Sequence, residues 1–182
     1  MPLVFTTSYL ADSISLFRYY KGLAERAIAQ VTDEQLLTVL DNEMNSIATT
    51  IKHMAGNMRS RWRDFLTTDG EKPDRNRDSE FEDPPVSRDA TLALWEEGWG
   101  YVFQALDQLS EADLSKTVII RGEPHSVMQA INRQIAHYSY HCGQIVMLAK
   151  HFQNTEWKCL TMPRRQSGAF NRRVITGGAS QR

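Results

Sequence analysis

The chain has 182 residues, of which 41% are hydrophobic and 24% are charged, and its formal net charge is -1. This length can bury one sizeable core but is short for two, so we expect a single domain over residues 1–175. The balanced charge lacks the basic excess that would draw a chain onto nucleic acid or an anionic bilayer, which argues against both kinds of partner.

The N-terminal segment has neither a positively charged stretch nor a long apolar run, and no later segment approaches the roughly 20 apolar residues that cross a membrane. We therefore expect a soluble, cytoplasmic protein. The two cysteines, Cys142 and Cys159, are too few for a disulfide framework, and a reducing cytosol would keep both as thiols. Cys142 is expected to be a small buried residue.

Four long segments have apolar residues at every third or fourth position, as on one face of an amphipathic helix. Capping and turn residues separate these segments, and Ser87 and Ser126 stand directly before the third and the fourth. This pattern predicts an all-α fold. The four predicted helices lie at about 7–30, 46–67, 88–109 and 126–153.

The segments between and after these helices have other patterns. Residues 68–87 are dominated by Asp, Glu, Arg, Asn, Gly and Pro and predict a long polar loop, for which a surface excursion is favoured over a lid. Residues 116–120 are rich in β-branched side chains and predict a short extended segment and turn before the fourth helix. Residues 157–163 predict an extended C-terminal tail that packs back on the helices, and residues 176–182 are expected to be disordered.

Two of the five histidines, His137 and His141, lie four residues apart on the fourth predicted helix. This spacing places their Cβ atoms about 6 Å apart on one helix face, close enough for both rings to bind one metal ion. Tyr138 occupies the position where the zinc-protease signature has Glu, which argues against a classical metalloprotease. The spacing alone leaves two interpretations open: an unliganded, hydrogen-bonded pair or a pair of metal ligands.

A third metal ligand has to come from another helix. His53 is the best candidate because it flanks the apolar face of the second predicted helix, and bundles build metal sites between facing helices. Considered alone, His53 fits a hydrogen-bonded histidine at the edge of the core better. Asn57, Gln134 and Gln144 lie within one turn of these histidines and could orient a ligand or substrate, although an ordinary solvated or interhelical amide is an alternative for each.

Several segments of the chain resemble the DinB superfamily. The resemblance covers about residues 5–170 and is carried by the order of the helices, by the run 53–57 (HMAGN) and by the run 130–145 (AINRQIAHYSYHCGQI). The runs 120–125 (IRGEPH) and 157–164 (WKCLTMPR) are similar to a functionally uncharacterised branch of that superfamily.

The resemblance implies a four-helix bundle with a divalent metal site, in which the second helix contributes one histidine and the fourth helix two. Those positions are His53, His137 and His141, and zinc or nickel is the expected ion. The superfamily includes thiol-dependent isomerases and S-transferases, and other members have no known reaction. Whether the protein is an enzyme is therefore left open by the resemblance.

Three imidazoles leave coordination positions for water or a substrate atom, as catalytic metal sites do. A low-molecular-weight thiol bound there would be held as a thiolate and could attack an electrophile, which predicts a metal-dependent transferase with a small-molecule substrate. Two alternatives stay open: a metal-dependent hydrolase, and a non-catalytic metal-binding or assembly module whose ion clamps two helices. A homodimer is also expected, through apolar helix faces that include Trp95 and Trp99.

Overall fold

The computed structural model describes residues 5–179, and this part of the chain is mostly helical. Its helices are α1 (Phe5–Ile28), α2 (Asp33–Leu37), α3 (Ile47–Trp62), α4 (Arg88–Leu106), α5 (Val127–Gln153) and α6 (Ser167–Ile175). Two strands, β1 (Thr117–Ile120) and β2 (Glu123–Ser126), form a small antiparallel sheet. The predicted all-α class fits, with this sheet as an addition.

The serines before the long helices act as N-terminal caps. The hydroxyls of Ser46, Ser87 and Ser126 each accept a hydrogen bond from the backbone N–H three residues later, which satisfies one of the donors that a helix start leaves unpaired. The predicted starts of α3, α4 and α5 are therefore confirmed to within a residue. The predicted end of α3 is wrong: the helix stops at Trp62 because Arg63 takes an extended conformation with ψ 127°, and Asp64 follows with a left-handed φ of 50°.

The four long helices meet around a cluster of aromatic rings, one from each helix. Phe17 of α1 lies edge-on to Trp62 of α3, with ring centroids 5.8 Å apart, and contacts Trp99 of α4 and Tyr138 of α5 at 6.2 and 5.9 Å. Such pairs stabilise a core by roughly 0.5–1.5 kcal/mol beyond their buried area. The cluster fixes α3 beside α5, the two helices that carry the candidate metal ligands.

The proposed role of two tryptophans in a homodimer is wrong. Trp95 is 1% exposed and Trp99 is 0% exposed, and both rings lie in the core rather than on an outer helix face. They appeared suited to an interface because an amphipathic pattern does not reveal which neighbour covers the apolar face.

The predicted extended segment and turn form a hairpin. β1 pairs with β2 through a turn at Arg121 and Gly122, whose φ angles of 57° and 76° are typical of a two-residue hairpin loop. The carboxylate of Asp69 accepts the backbone N–H groups of both turn residues at 2.8 Å. The hairpin is therefore attached to the segment that follows α3.

The segment 68–87 is not a surface excursion, contrary to the favoured prediction. Lys72 and Glu80 are 6% and 5% exposed, and a single 3-10 turn, Asp78–Phe81, packs against α3. Ser60 anchors the segment by donating its hydroxyl to the Gly70 carbonyl at 2.8 Å and accepting the Lys72 N–H at 3.1 Å. This segment, 68–87, is called the docked loop below.

The tail after α5 only partly matches the prediction. Trp157 and Leu160 pack against the core as expected, but a short helix that was not predicted, α6, follows this segment. Of the residues expected to be disordered, 176–179 follow α6 and 180–182 lie outside the described residues. Within residues 5–179, no helix combines the length and the apolar character needed to cross a bilayer.

Candidate metal centre

Three histidines converge where α3 faces α5. One ring nitrogen from each of His53, His137 and His141 lies within 4.8 Å of the other two. Nitrogens bound to one ion at about 2 Å are separated by about 3–4 Å, so small movements of the rings would complete a site. The structure thus brings together the three histidines predicted as ligands, and they could hold a metal ion.

Hydrogen bonds select the nitrogen that two of the three rings present. Nδ1 of His53 lies 2.8 Å from Oε2 of Glu80, and Nδ1 of His141 lies 2.7 Å from Oε1 of Gln144. Because carboxylate and amide oxygens accept hydrogen bonds, both Nδ1 atoms carry the proton and the Nε2 lone pairs are free. Nε2 of His141 lies 3.0 Å from Nε2 of His137, so these two nitrogens are close enough to bind the same ion.

Burial keeps two of the rings neutral. It lowers the pKa of His137 to about 3, with a further contribution from the neighbouring His141 and His53. Burial also lowers the pKa of His141 to about 4, against the hydrogen bond with Gln144, which raises it. Neutral imidazoles are the form that binds borderline ions such as zinc and nickel, so this donor set fits the expected metals.

The metal-free protein should lose stability as the pH falls from about 7 to about 5. In the unfolded chain the two histidines have their ordinary pKa of 6.5, whereas in the folded chain the values are about 3 and about 4. Between these limits the unfolded state binds more protons, so the free energy of unfolding decreases as the pH decreases. Urea midpoints of chelator-treated protein across this range would test the slope, and His137→Gln with His141→Gln should flatten it. A wild-type profile as flat as that of the double variant would contradict the assignment.

Glu80 is the residue at the centre that the sequence analysis missed. Its side chain is 7% exposed, and besides His53 it contacts Arg75, whose Nε and Nη2 donate to Oε1 and Oε2 at 2.8 and 2.9 Å. Burial alone would raise the pKa of Glu80, but the hydrogen bonds from His53 and Arg75 lower it overall. A carboxylate therefore orients His53, as is common for histidines that bind metals. Its sequence context does not distinguish it from the other acidic residues of the docked loop.

Gly56 makes room for the Glu80 carboxylate. A Cβ atom at this position would lie 2.7 Å from the carboxyl carbon of Glu80, so any side chain would displace the carboxylate from His53. We expect Gly56→Ala to weaken the affinity for added zinc by about 10–100-fold, the range typical for loss of such a partner.

The control for this substitution is Gly100→Ala, because no atom lies within 4 Å of a Cβ built there. Helix propensity alone should make an exposed Gly→Ala change stabilising by about 0.5–1 kcal/mol. Zinc affinity measured by competition with a chromophoric chelator compares the two variants. Equal affinities would show that Glu80 does not support the site.

The predicted supporting amides have different roles. Gln144 orients His141, as expected for a residue next to a ligand. Oδ1 of Asn57 instead accepts a hydrogen bond from the hydroxyl of Tyr138 at 3.0 Å. The Tyr138 hydroxyl oxygen in turn accepts a hydrogen bond from the indole N–H of Trp62 at 3.0 Å. Asn57 therefore links α3 to α5 within the core and is not bonded to a histidine.

A cavity of about 250 Å³ opens beside the histidines, and His53 and His137 form part of its wall. Asn57 and Gln134 also line it. The remaining lining residues are all arginines, and they come from α3, the docked loop, the hairpin turn and α5. These are Arg61, Arg75, Arg77, Arg121 and Arg133. We call this space the arginine cavity.

Fold and site together define a mostly helical protein with a candidate three-histidine metal centre between two helices. The sequence model of a protein family described as "Protein of unknown function (DUF1572)" matches residues 4–166, and the chain belongs to this family. Neither the curated proteins nor the solved structures contain a match to this chain.

Proposed function

We propose that the protein is a DinB-like four-helix-bundle metalloprotein that binds one divalent ion, zinc or nickel, through His53, His137 and His141. We further propose that it activates a low-molecular-weight thiol for transfer to an electrophilic small molecule. The observation that carries the proposal is the convergence of three imidazoles beside a cavity large enough for a small substrate. The packing of α3 with α4 and of α1 with α5 supports the bundle.

Two of the proposed ligands are already oriented in the metal-free protein. Glu80 and Gln144 hold His53 and His141 in the tautomer that presents Nε2, so little reorganisation is needed on binding. With three protein ligands, a bound ion would retain an open position and would supply the positive charge that lowers the pKa of a thiol there. The arginine cavity lies against two of the ligands and gives a substrate access to them.

The thiol in this proposal comes from outside the chain. Cys142 follows His141 in sequence but is 0% exposed, and burial raises the pKa of its thiol to about 12. A thiol with so high a pKa contributes almost no thiolate near neutral pH. As predicted, Cys142 is a small buried core residue, and its burial makes it a poor candidate for the nucleophile.

The test is a conjugation assay with the zinc- or nickel-loaded protein. Cysteine, glutathione and coenzyme A would each be combined with chlorodinitrobenzene, and product formation should require both the ion and the thiol. A nitrophenyl ester without added thiol tests the hydrolase alternative. If fully loaded protein conjugates none of the thiols, the transferase proposal fails.

A non-catalytic role is the second candidate, and the position of the histidines favours it specifically. His53 is on α3 and the other two are on α5, so one ion would join the two helices. In that case chelation would lower the melting temperature markedly, since a ligand that binds only the folded state stabilises it. The loaded protein would then show neither conjugation nor hydrolysis.

We also propose a cytoplasmic homodimer. Because Trp95 and Trp99 are buried, its interface would have to use other apolar side chains, such as Leu16 of α1 and Met147 of α5, which are 43% and 55% exposed. A monomeric mass in light scattering would contradict the dimer.

A further inference from the structure

We propose that the arginine cavity binds a small organic molecule carrying at least two negative charges, a dicarboxylate or a phosphate ester, next to His53 and His137. The inference rests on the proposed function in one respect: it names the substrate class of that site. Binding of the anion itself requires no metal ion, so it can be tested separately.

The positive charge of the cavity exceeds the negative charge around it. Five guanidinium groups line the space, and no lining residue is acidic. Glu71 and Glu80 pair with three of them: Glu71 contacts Arg61, Arg75 and Arg121, and Glu80 contacts Arg75. Within residues 9–179, Arg77 and Arg133 form no ion pair. The guanidinium groups of the wall outnumber the carboxylates that pair with them, which leaves the cavity positive although the chain as a whole is slightly acidic.

Two of the guanidinium groups are held rigidly in the wall. The side chains of Arg61 and Arg75 are only 5% and 4% exposed. Burying a guanidinium is costly unless it is paired, and the docked loop provides the pairing through Glu71, Glu80 and the Gly70 carbonyl. Donors fixed in this way lose little entropy when a carboxylate or phosphate binds to them.

Two buried polar atoms in the wall have no partner in the described part of the chain. They are Nε of Arg61 and Oε1 of Gln134, a residue that is 3% exposed. Buried polar groups are nearly always hydrogen-bonded, so these two atoms are the candidates in the wall for contacts with a ligand. Nε of Arg61 is a donor for an anionic oxygen, and the Gln134 amide suits a hydroxyl or N–H group of the same ligand.

The dimensions of the cavity restrict the ligand to a small molecule. Its volume of about 250 Å³ lies just below the roughly 300–1,000 Å³ of pockets for drug-sized molecules. No aromatic side chain other than the histidines lines it, so it lacks the stacking platforms that single-stranded nucleic acids use. The ligand is therefore a small polyanion and not a polynucleotide.

The experiment is calorimetric titration of metal-free protein with succinate and, separately, with inorganic phosphate, with propionate as the single-charge comparison. Saturable binding of at least one dianion is expected. If succinate binds more tightly, the natural ligand is a dicarboxylate; if phosphate binds more tightly, it is a phosphate ester. The double variant Arg77→Gln with Arg133→Gln should weaken it by at least about tenfold, because two charge-assisted contacts are lost. Both side chains are exposed and form no ion pair, so the fold should be retained.

A second double variant, Arg172→Gln with Arg173→Gln in α6, makes the same change of net charge away from the cavity and should bind as the wild type does. The inference is overturned if neither dianion binds by about 10 mM, a concentration well beyond ordinary specific affinity. It is also overturned if propionate binds equally well or if both double variants lose binding equally. Because the protein is metal-free throughout, failure of the metal proposal would leave this result unaffected.

Discussion

Substitution of His137 by alanine is expected to remove stoichiometric metal from the purified protein. The wild type, expressed in metal-replete medium, should carry close to one zinc or nickel ion per chain. His137→Ala leaves two imidazoles, on different helices, and should reduce affinity by more than about 100-fold, beyond the 10–100-fold typical for loss of a supporting group. His53→Ala and His141→Ala should have similar effects, because each removes one of the three nitrogens that converge. Elemental analysis of the four proteins is the measurement.

His125→Ala and His151→Ala are matched controls for this experiment. His151 is exposed, His125 is half-buried in β2, and both lie outside the cluster, so their removal should leave the metal content unchanged. A wild-type protein without stoichiometric metal would contradict the central proposal. Loss of metal from the control variants as well would indicate adventitious binding to surface histidines.

Substitution of Glu80 by alanine should have the largest effect on the stability of the metal-free protein. Arg75 would keep only its longer contact with Glu71 at 3.4 Å, and its guanidinium would remain buried. Breaking a buried ion pair by removing one partner typically costs about 3–5 kcal/mol, and the remaining contact with Glu71 favours the lower end. His53 would at the same time lose the acceptor of its Nδ1 proton. Urea unfolding of chelator-treated wild type and variant measures the difference.

Asp74→Ala is the control for Glu80→Ala. Asp74 also pairs with arginines of α3 and its end, Arg59 and Arg63, but its side chain is 47% exposed, so solvent replaces the lost contacts. This substitution should barely move the urea midpoint. If Glu80→Ala is equally mild, the docked loop does not depend on the buried pair. Conversion of Glu80 and Arg75 together to methionine should recover much of the stability, because no uncompensated charge remains buried.

Local sequence patterns predicted the parts of the structure that local chemistry determines. The starts of α3, α4 and α5 follow from serine caps, and the apolar periodicity identified the long helices. α6 was not predicted because its nine residues span too few turns for an apolar periodicity to identify a helix. The tryptophans of α4 were recognised as an apolar face, but their burial depends on α1 and α5, which periodicity does not position.

The candidate ligands could be found from sequence because two share one helix face and the third flanks the apolar face of another. Glu80 could not, since it lies 27 residues from His53 along a polar segment without regular periodicity. The arginine cavity is even harder to predict from the sequence, because its arginines come from four separate elements and meet only after the docked loop packs on α3. Long-range placement of polar side chains is decided by tertiary contacts, which no local pattern encodes.

The candidate metal ligands and part of the cavity wall lie on different elements of the fold, which matters for protein engineering. The three histidines lie on long helices that also form the core, whereas Arg75 and Arg77 lie on a connection. Its first residues are fixed at Ser60 and at the hairpin, and its last part is held by Lys52, which donates to the carbonyls of Glu82 and Asp83. Positions such as Arg77 can be varied to change which molecule is accepted while the helices and the coordinating nitrogens stay in place. Libraries randomised in that connection, with Glu80 and Gly56 kept, are therefore a practical starting point for new specificities on this scaffold.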